Sequence, residues 1–378
     1  MTTLIHSVRL VDDGAEHDDA WIAFDGGVVA ARGMGDGWRT NRADAVVDGA
    51  GLVLTPGFID IHTHGGGGAA FDDGADAIAV ARDLHRTHGT TRSVISLVTA
   101  SIEHLSERVA LIADLAERDH TILGSHLEGP FLEPAFRGAH TEALLRAPDA
   151  DAISRLLDAG RGTIRQVTLA PERDGAMDAI GRLVAAGTAV AVGHTAATAA
   201  QARAAFDAGA TLLTHAFNAM PGIHHRAPGP VVAAMSDARV TLELIADGVH
   251  VHPDVMTLAF AGAPGRIALV TDAMAAAGAA DGAYTLGGLA VTVADGTARL
   301  ADSGAIAGST LTQDAALRRI VEIGVPLPDA VAAVTAVPSR AIGVEDRFGS
   351  LAVGRAADAV LLDGRLAVRT VWVDGARV

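Results

Sequence analysis

The 378-residue chain contains no cysteine. Disulfides, thiolate metal sites and cysteine nucleophiles are therefore excluded. Lysine is absent too: all 29 basic residues are arginine. GC-rich coding produces Ala-, Gly- and Arg-rich chains of this kind, but the chemical consequence stands. No lysine can form a Schiff base, clamp a phosphate or be carbamylated into a metal bridge. Aromatics are only 3%, and positive charge is in deficit, with a net charge of −16. Binders of nucleic acid and anionic membranes normally show a basic face, so the charge argues against both partners. A locally positive pocket for a small anion stays open. No apolar run approaches membrane-spanning length. The start, Met1-Thr2-Thr3-Leu4-Ile5-His6, lacks the basic residues and apolar core of a signal peptide. A soluble, cytoplasmic protein is expected.

What the chain has in plenty is apolar aliphatic residue, 49% hydrophobic in all, enough for a large core. Residues 1–54 read as short strands (Leu4 to Val11, Ala20 to Phe24, Val28 to Arg32, Ala45 to Leu54) separated by hairpin-like Asp-Gly and Gly-Gly pairs. Residues 344–378 have the same texture, at Ala359 to Asp363 and Leu366 to Val373. The two ends are expected to form one small β-sandwich domain.

Between them, residues 55–343 alternate strand-like and helix-like segments. The strand candidates are Phe58–His64, Ser93–Thr99, Thr121–Glu128, Ile164–Pro171, Ala189–His194, Thr211–Asn218, Thr241–Asp247 and Ile267–Asp272. Helical segments such as Ala75–His88, Ile102–Arg118, Met177–Ala186 and Thr198–Ala208 lie between them, several closed by glycine. Eight such alternations predict an α/β fold, a (β/α)8 TIM-type barrel with function at the C-terminal ends of its strands. Tyr284 to Ala307 reads as a β-hairpin excursion after strand eight. Helices over Thr312–Ile323 and Pro328–Ile342 return the chain to the β domain.

The strand ends carry the chemistry. The first leads into His62 and His64, whose i, i+2 spacing puts both imidazoles on one face of a strand, and then into four glycines. Strands three, five, six and eight carry Glu128, His194, His215 and Asp272 at their ends. Four imidazoles and two carboxylates converging on one barrel mouth suit one or two divalent ions such as Zn²⁺ or Fe²⁺. With no lysine to carbamylate, Glu128 is the group placed to bridge His62/His64 and His194/His215. A divalent ion lowers the pKa of its water to about 7 and polarises a carbonyl under attack. Asp272 then serves as general base and afterwards as general acid to a leaving amine. Metal-assisted hydrolysis of a C–N bond is the reaction class.

A second set faces the substrate. Arg137-Gly138-Ala139-His140 follows strand three, Asn218-Ala219-Met220 follows strand six, His224-His225-Arg226 lies in the next loop, and Asp247-Gly248-Val249-His250 ends strand seven. Arg226, the loop histidines and the backbone around Asn218-Ala219 have the chemistry to hold a phosphate. His126 and His252 are read as supporting residues; His6, His17, His85, His88, His104 and His120 as structural or solvated.

These motifs resemble the N-acetylglucosamine-6-phosphate deacetylases of the amidohydrolase superfamily. The likeness rests on Pro56-Gly57-Phe58-Ile59-Asp60 with His62/His64, His126-Leu127-Glu128-Gly129-Pro130-Phe131, Gly193-His194-Thr195, Phe217-Asn218-Ala219-Met220, Asp247-Gly248-Val249-His250 and Thr271-Asp272-Ala273. The first motif marks only the superfamily; the Glu128 segment together with Asn218-Ala219-Met220 is more specific. The resemblance implies removal of acetate from N-acetyl-D-glucosamine 6-phosphate, in amino-sugar catabolism and cell-wall recycling. It implies Glu128, His194 and His215 as metal ligands and Asp272 as acid/base. It also implies His140, Asn218, Ala219, Arg226 and His250 as contacts to the sugar phosphate or acetamide. Ile306-Ala307-Gly308 would line the site, and a homodimer would let Arg226 serve the neighbouring subunit. Ala216 and Ala227 depart from the family's pattern. N-acetylgalactosamine 6-phosphate is the alternative substrate. A cyclic-amide hydrolase would want the carbamylated lysine that this chain cannot make, and a non-catalytic scaffold would have no use for the metal set beside Asp272.

Overall fold

The computed structural model describes residues 2–378; Met1, the first residue of the 1–54 segment, lies outside them. Eight strands form the central sheet: β1 (Phe58–Asp60), β2 (Thr90–Val98), β3 (Ile122–Glu128), β4 (Ile164–Leu169), β5 (Ala189–Val192), β6 (Leu212–Leu213), β7 (Thr241–Ile245) and β8 (Ile267–Val270). Every neighbouring pair is parallel and consecutive, from β1 to β8. Closure of the barrel is made just beyond the ladder. The Asp272 N–H donates to the His62 carbonyl (2.9 Å), and the Thr271 hydroxyl donates to the Asp60 carboxylate (2.6 Å).

Local sequence explains the elements. All nine residues of β2 and all seven of β3 are buried, because helices cover one face of a barrel strand and the packed interior covers the other. The helix Ile102–Arg118 starts where the Ser101 side chain accepts from the His104 N–H. It turns Ile102, Leu105, Val109 and Ile112 inward, a stripe at helical spacing. Each such aliphatic side chain contributes about 1.5–3 kcal/mol on burial. The helix Ala199–Asp207 opens on a reciprocal Thr198/Gln201 cap.

Both chain ends join one eight-stranded sheet that contains Thr3–Asp12, Ala15–Asp25 and Val28–Met34 from one end and Ala359–Leu362 and Val368–Val373 from the other. Phe24 and Trp372 lie four strands apart in this sheet, yet their rings meet edge to face with centroids 6.5 Å apart. The sheet therefore folds over its own core into a sandwich. Arg92 of β2 fastens it to the barrel, with Nε 2.6 Å from Asp358 and a terminal nitrogen 2.6 Å from Asp374.

Several expectations change in detail. Ala45–Leu54 is two strands, Ala45–Asp48 and Val53–Pro56, parted by a Gly-Ala-Gly turn. Pro328–Ile342 is two helices, Leu327–Val334 and Ala336–Ala341, broken at Thr335 (φ −133°, ψ −84°). The excursion after β8 is a three-stranded meander, Gly282–Leu286, Leu289–Ala294 and Thr297–Leu300, rather than a single hairpin. Most consequentially, β1, β5, β6 and β8 stop two or more residues short of the expected polar ends. His62 and His64 are not on a strand, so the i, i+2 argument does not apply to them. Their rings converge nonetheless, because the chain turns at the barrel mouth.

Candidate metal centre and its cleft

Glu128 is the last residue of β3, whereas His194, His215 and Asp272 each stand two residues past their strands. All three of these have left-handed backbones (φ 46°, 27° and 46°), a strained region for residues with a Cβ. The turn aims each side chain back over the barrel axis instead of along the strand. Gly193, just before His194, is required by space: a Cβ there would sit 2.6 Å from the Thr214 Cβ.

The result is a buried cluster around the Glu128 carboxylate. One of its oxygens lies 3.1 Å from His194 Nε2, 3.2 Å from His215 Nε2 and 3.3 Å from His62 Nε2; the other lies 3.0 Å from His64 Nε2. Asp272 Oδ1 is 3.5 Å from His62 Nε2 and 3.4 Å from His64 Nε2. Two ligand-like groups result, His62/His64/Glu128/Asp272 and Glu128/His194/His215, and Glu128 belongs to both.

The tautomers decide what such a cluster can hold. His194 Nδ1 donates to the Phe136 carbonyl (2.9 Å) and His62 Nδ1 to Glu243 (3.0 Å). A neutral ring held this way turns its Nε2 lone pair inward. Yet the inward nitrogens lie close together, His194 to His215 at 2.9 Å and His62 to His64 at 3.2 Å. Nitrogens this close beside carboxylates need a shared proton or a cation between them, because His64 Nδ1 and His215 Nδ1 have no partner among the described residues to fix their tautomers. The electrostatics agree. Burial opposes a charge on His62, but Glu128, Asp272 and Glu243 raise its pKa well above the usual imidazole value. Burial likewise opposes ionisation of Glu128, but the charge on His62 and the rings of His140, His194 and His215 around it hold its carboxyl well below normal. Positive charge is wanted where the nitrogens meet, and a donor set of imidazole and carboxylate fits a divalent metal.

Around the cluster, His126 links the Ser96 hydroxyl (2.9 Å) to the Thr168 hydroxyl (2.8 Å) and packs edge-on against His62. Burial and the neighbouring His62 keep its pKa well below normal; with both ring nitrogens engaged by hydroxyls, His126 is a support rather than a ligand. His252 is not a support: it caps the helix Pro253–Gly262 and is largely exposed.

A cleft of about 340 Å³ opens above the Glu128 cluster, within the range of small-molecule sites. His64, Glu128, His194, His215 and Asp272 floor it, while His62 is fully buried beneath. Ala139, His140, Asn218, Ala219, His250, Ile306 and Gly308 of the expected substrate set line it as well; Ala307 is buried behind the lining. Val98, Leu286 and Ile306 make an apolar wall, two of them from the excursion after β8. His250 is braced by Asp247, 2.6 Å from its Nδ1. Burial lowers the His140 pKa to about 4, so this ring is neutral at pH 7. His225 and Arg226 are not in the cleft of their own chain. They are exposed on the loop between β6 and the helix Gly229–Met235, and no arginine lines the cleft among the described residues.

The amidohydrolase family pattern matches residues 53–378. The chain belongs to the amidohydrolase family. This amidohydrolase is 40% identical to the N-acetylgalactosamine-6-phosphate deacetylase of Escherichia coli O157:H7 over 99% of both chains. It is 37% identical to the N-acetylglucosamine-6-phosphate deacetylase of Bos taurus over 88% of this chain and 85% of that one. Among solved structures it is similar to an N-acetyl-D-glucosamine-6-phosphate deacetylase mutant from Mycobacterium smegmatis in complex with N-acetyl-D-glucosamine-6-phosphate. There the TM-score is 0.94 and the identity 43%, covering 100% of this chain and 98% of that one.

Two buried carboxylates were given no role in the reading of the sequence. Glu243 lies inside β7 and Asp60 ends β1, both fully buried. Burial raises the Asp60 pKa to about 6 against the pull of its Thr271 and His62 donors. The signal for Glu243 was there: a lone carboxylate in the apolar run Val240-Thr241-Leu242-Glu243-Leu244-Ile245.

Proposed function

We infer that this amidohydrolase removes acetate from N-acetyl-D-glucosamine 6-phosphate to give D-glucosamine 6-phosphate, in the cytoplasm, as a step of amino-sugar catabolism and cell-wall recycling. The observation that carries the reading is the Glu128-centred cluster with Asp272 at its cleft-facing edge, in a chain similar end to end to amino-sugar phosphate deacetylases. His62, His64, Glu128, His194, His215 and Asp272 would hold one or two divalent ions, Zn²⁺ or Fe²⁺ by their donor types. Such an ion supplies Lewis-acid activation of water and of the amide carbonyl.

The chain's own residues do the rest. Asp272 takes the proton of the attacking water as the tetrahedral centre forms and passes it to the departing amine nitrogen. His140, Asn218 and His250 orient the sugar, and the wall of Val98, Leu286 and Ile306 keeps water away from one side of it. The phosphate needs a cation that the cleft lacks in one chain. We assign this to Arg226, with His225 beside it, reaching from a second copy into the neighbouring cleft of a homodimer.

A second reading, N-acetylgalactosamine 6-phosphate as substrate, is favoured by the Escherichia coli relative. Acetate release by metal-loaded protein should be followed with N-acetylglucosamine 6-phosphate, its C4 epimer and unphosphorylated N-acetylglucosamine side by side. Fast release from the first alone is the expected result. Preference for the epimer would move the assignment to the galacto sugar, and equal release from the unphosphorylated sugar would remove the phosphate contact.

A further inference from the structure

The cluster's buried carboxylate with no part in the assignment above is Glu243. It is fully buried, and three polar groups converge on it from separate strands or strand ends. Oε2 accepts from His62 Nδ1 at 3.0 Å and from the His215 backbone N–H at 3.3 Å; Oε1 accepts from Gln166 Nε2 on β4 at 2.6 Å. His62 belongs to one ligand-like group and His215 to the other. One side chain on β7 thus reaches both halves of the centre, 181 residues from His62 in the chain and 28 from His215.

We propose that Glu243 is a positioning residue of the metal centre. It holds the His62 proton on Nδ1, so that the Nε2 lone pair faces the metal position, and it sets the left-handed backbone at His215 that aims the second ligand. The inference rests on the metal-centre reading above. Such carboxylate–imidazole pairs outside the ligand shell are worth about tenfold to a hundredfold in metal affinity. Gln166 is the third member of the relay. It is fully buried, spends its amide N–H on Glu243 and leaves its own Oε1 without a partner among the described residues, so the hydrogen bond its side chain makes there is the one that orients Glu243.

The test is metal binding, without substrate. Chelator-stripped protein is titrated with Co²⁺, followed by visible absorption and by competition with a chromophoric chelator. Glu243→Gln keeps the shape and one acceptor oxygen but removes the charge, and the Gln166 amide can turn over to face the new N–H₂ with its free Oε1. This variant should melt near wild type when metal-free, yet bind Co²⁺ about tenfold to a hundredfold more weakly and with an altered absorption band. Glu243→Asp, which restores the charge, should recover part of the affinity. Co²⁺ affinity of Glu243→Gln within twofold of wild type, with an unchanged band, would overturn the proposal. If Glu243→Gln does not fold, Gln166→Ala takes its place. It should weaken Co²⁺ severalfold, and unchanged affinity there overturns the proposal equally. Wild-type protein that takes up no Co²⁺ would overturn the metal centre itself and this inference with it, whereas failure of Glu243→Gln alone leaves the centre standing.

Discussion

Replacing Asp272 by asparagine separates proton transfer from everything else the residue does. Asparagine tolerates the left-handed backbone found there (φ 46°) better than alanine would. The two backbone hydrogen bonds that seat the residue, to the His62 carbonyl at 2.9 Å and from the Ser309 N–H at 2.7 Å, do not involve its side chain. Fold and cleft should therefore survive. An amide oxygen can still approach the position occupied by Oδ1, so metal content should stay close to normal. What the amide cannot do is take up a proton and return it. General acid–base catalysis is worth about 10²–10⁴ in rate, or about 3–5 kcal/mol of barrier. Acetate release from N-acetylglucosamine 6-phosphate should fall by that factor or more, in kcat rather than KM, alongside metal analysis of the same sample. Activity within tenfold of wild type at normal metal content would refute the role given to Asp272.

Other perturbations reach different parts of the molecule. Arg226→Ala, on an exposed loop, should leave stability within about 0.5 kcal/mol and raise KM for the phosphorylated sugar about tenfold to a hundredfold, the worth of a charge-assisted contact; an unchanged KM removes the assignment. Arg92→Met strands the buried Asp358 carboxylate, while the half-exposed Asp374 can turn to water, so unfolding in urea should lose about 3 kcal/mol. Tryptophan fluorescence would follow this, since Trp372 lies in the β-sandwich that Arg92 fastens, and an unshifted midpoint would show the clamp to be idle. Asp314 is partly desolvated, which raises its pKa, but donors on His88, Thr312 and Arg318 bring it down from 3.8 to about 2. The unfolded chain therefore takes up this proton first on acidification. The contribution, about 2 kcal/mol, is complete above the unfolded value and lost as pH falls through about 2. Asp314→Asn should then lower stability at pH 7 while closing the gap to wild type near pH 2, and a pH-independent difference would count against it.

Much of the site was legible because its residues sit where a parallel barrel must put function. An apolar run that ends in His, Glu or Asp can be read along the chain, and six residues at five such endings name the cluster before any contact is known. Their chemical types name the metal class, and the absence of lysine leaves Glu128 as the carboxylate available to be shared. The helix Ile102–Arg118 was legible for the same local reason, an apolar stripe behind a serine cap. Residue order and period determined that much alone.

What local pattern does not contain is where the strands stop and what meets across the barrel. The sequence reading ran strands on to His64, His194 and His215, but the polar ends leave the ladder because their backbones must turn over the axis. Glu243 was passed over because a charge within an apolar strand has no meaning until its partners, His62 and Gln166, are brought in from the turn after β1 and from β4. Arg226 was expected at the phosphate by sequence, yet folding of a single chain leaves it outside its own cleft. The candidate ligands are written in the chain; their tautomers, their braces and the direction in which they point arise only when distant strands close on one another.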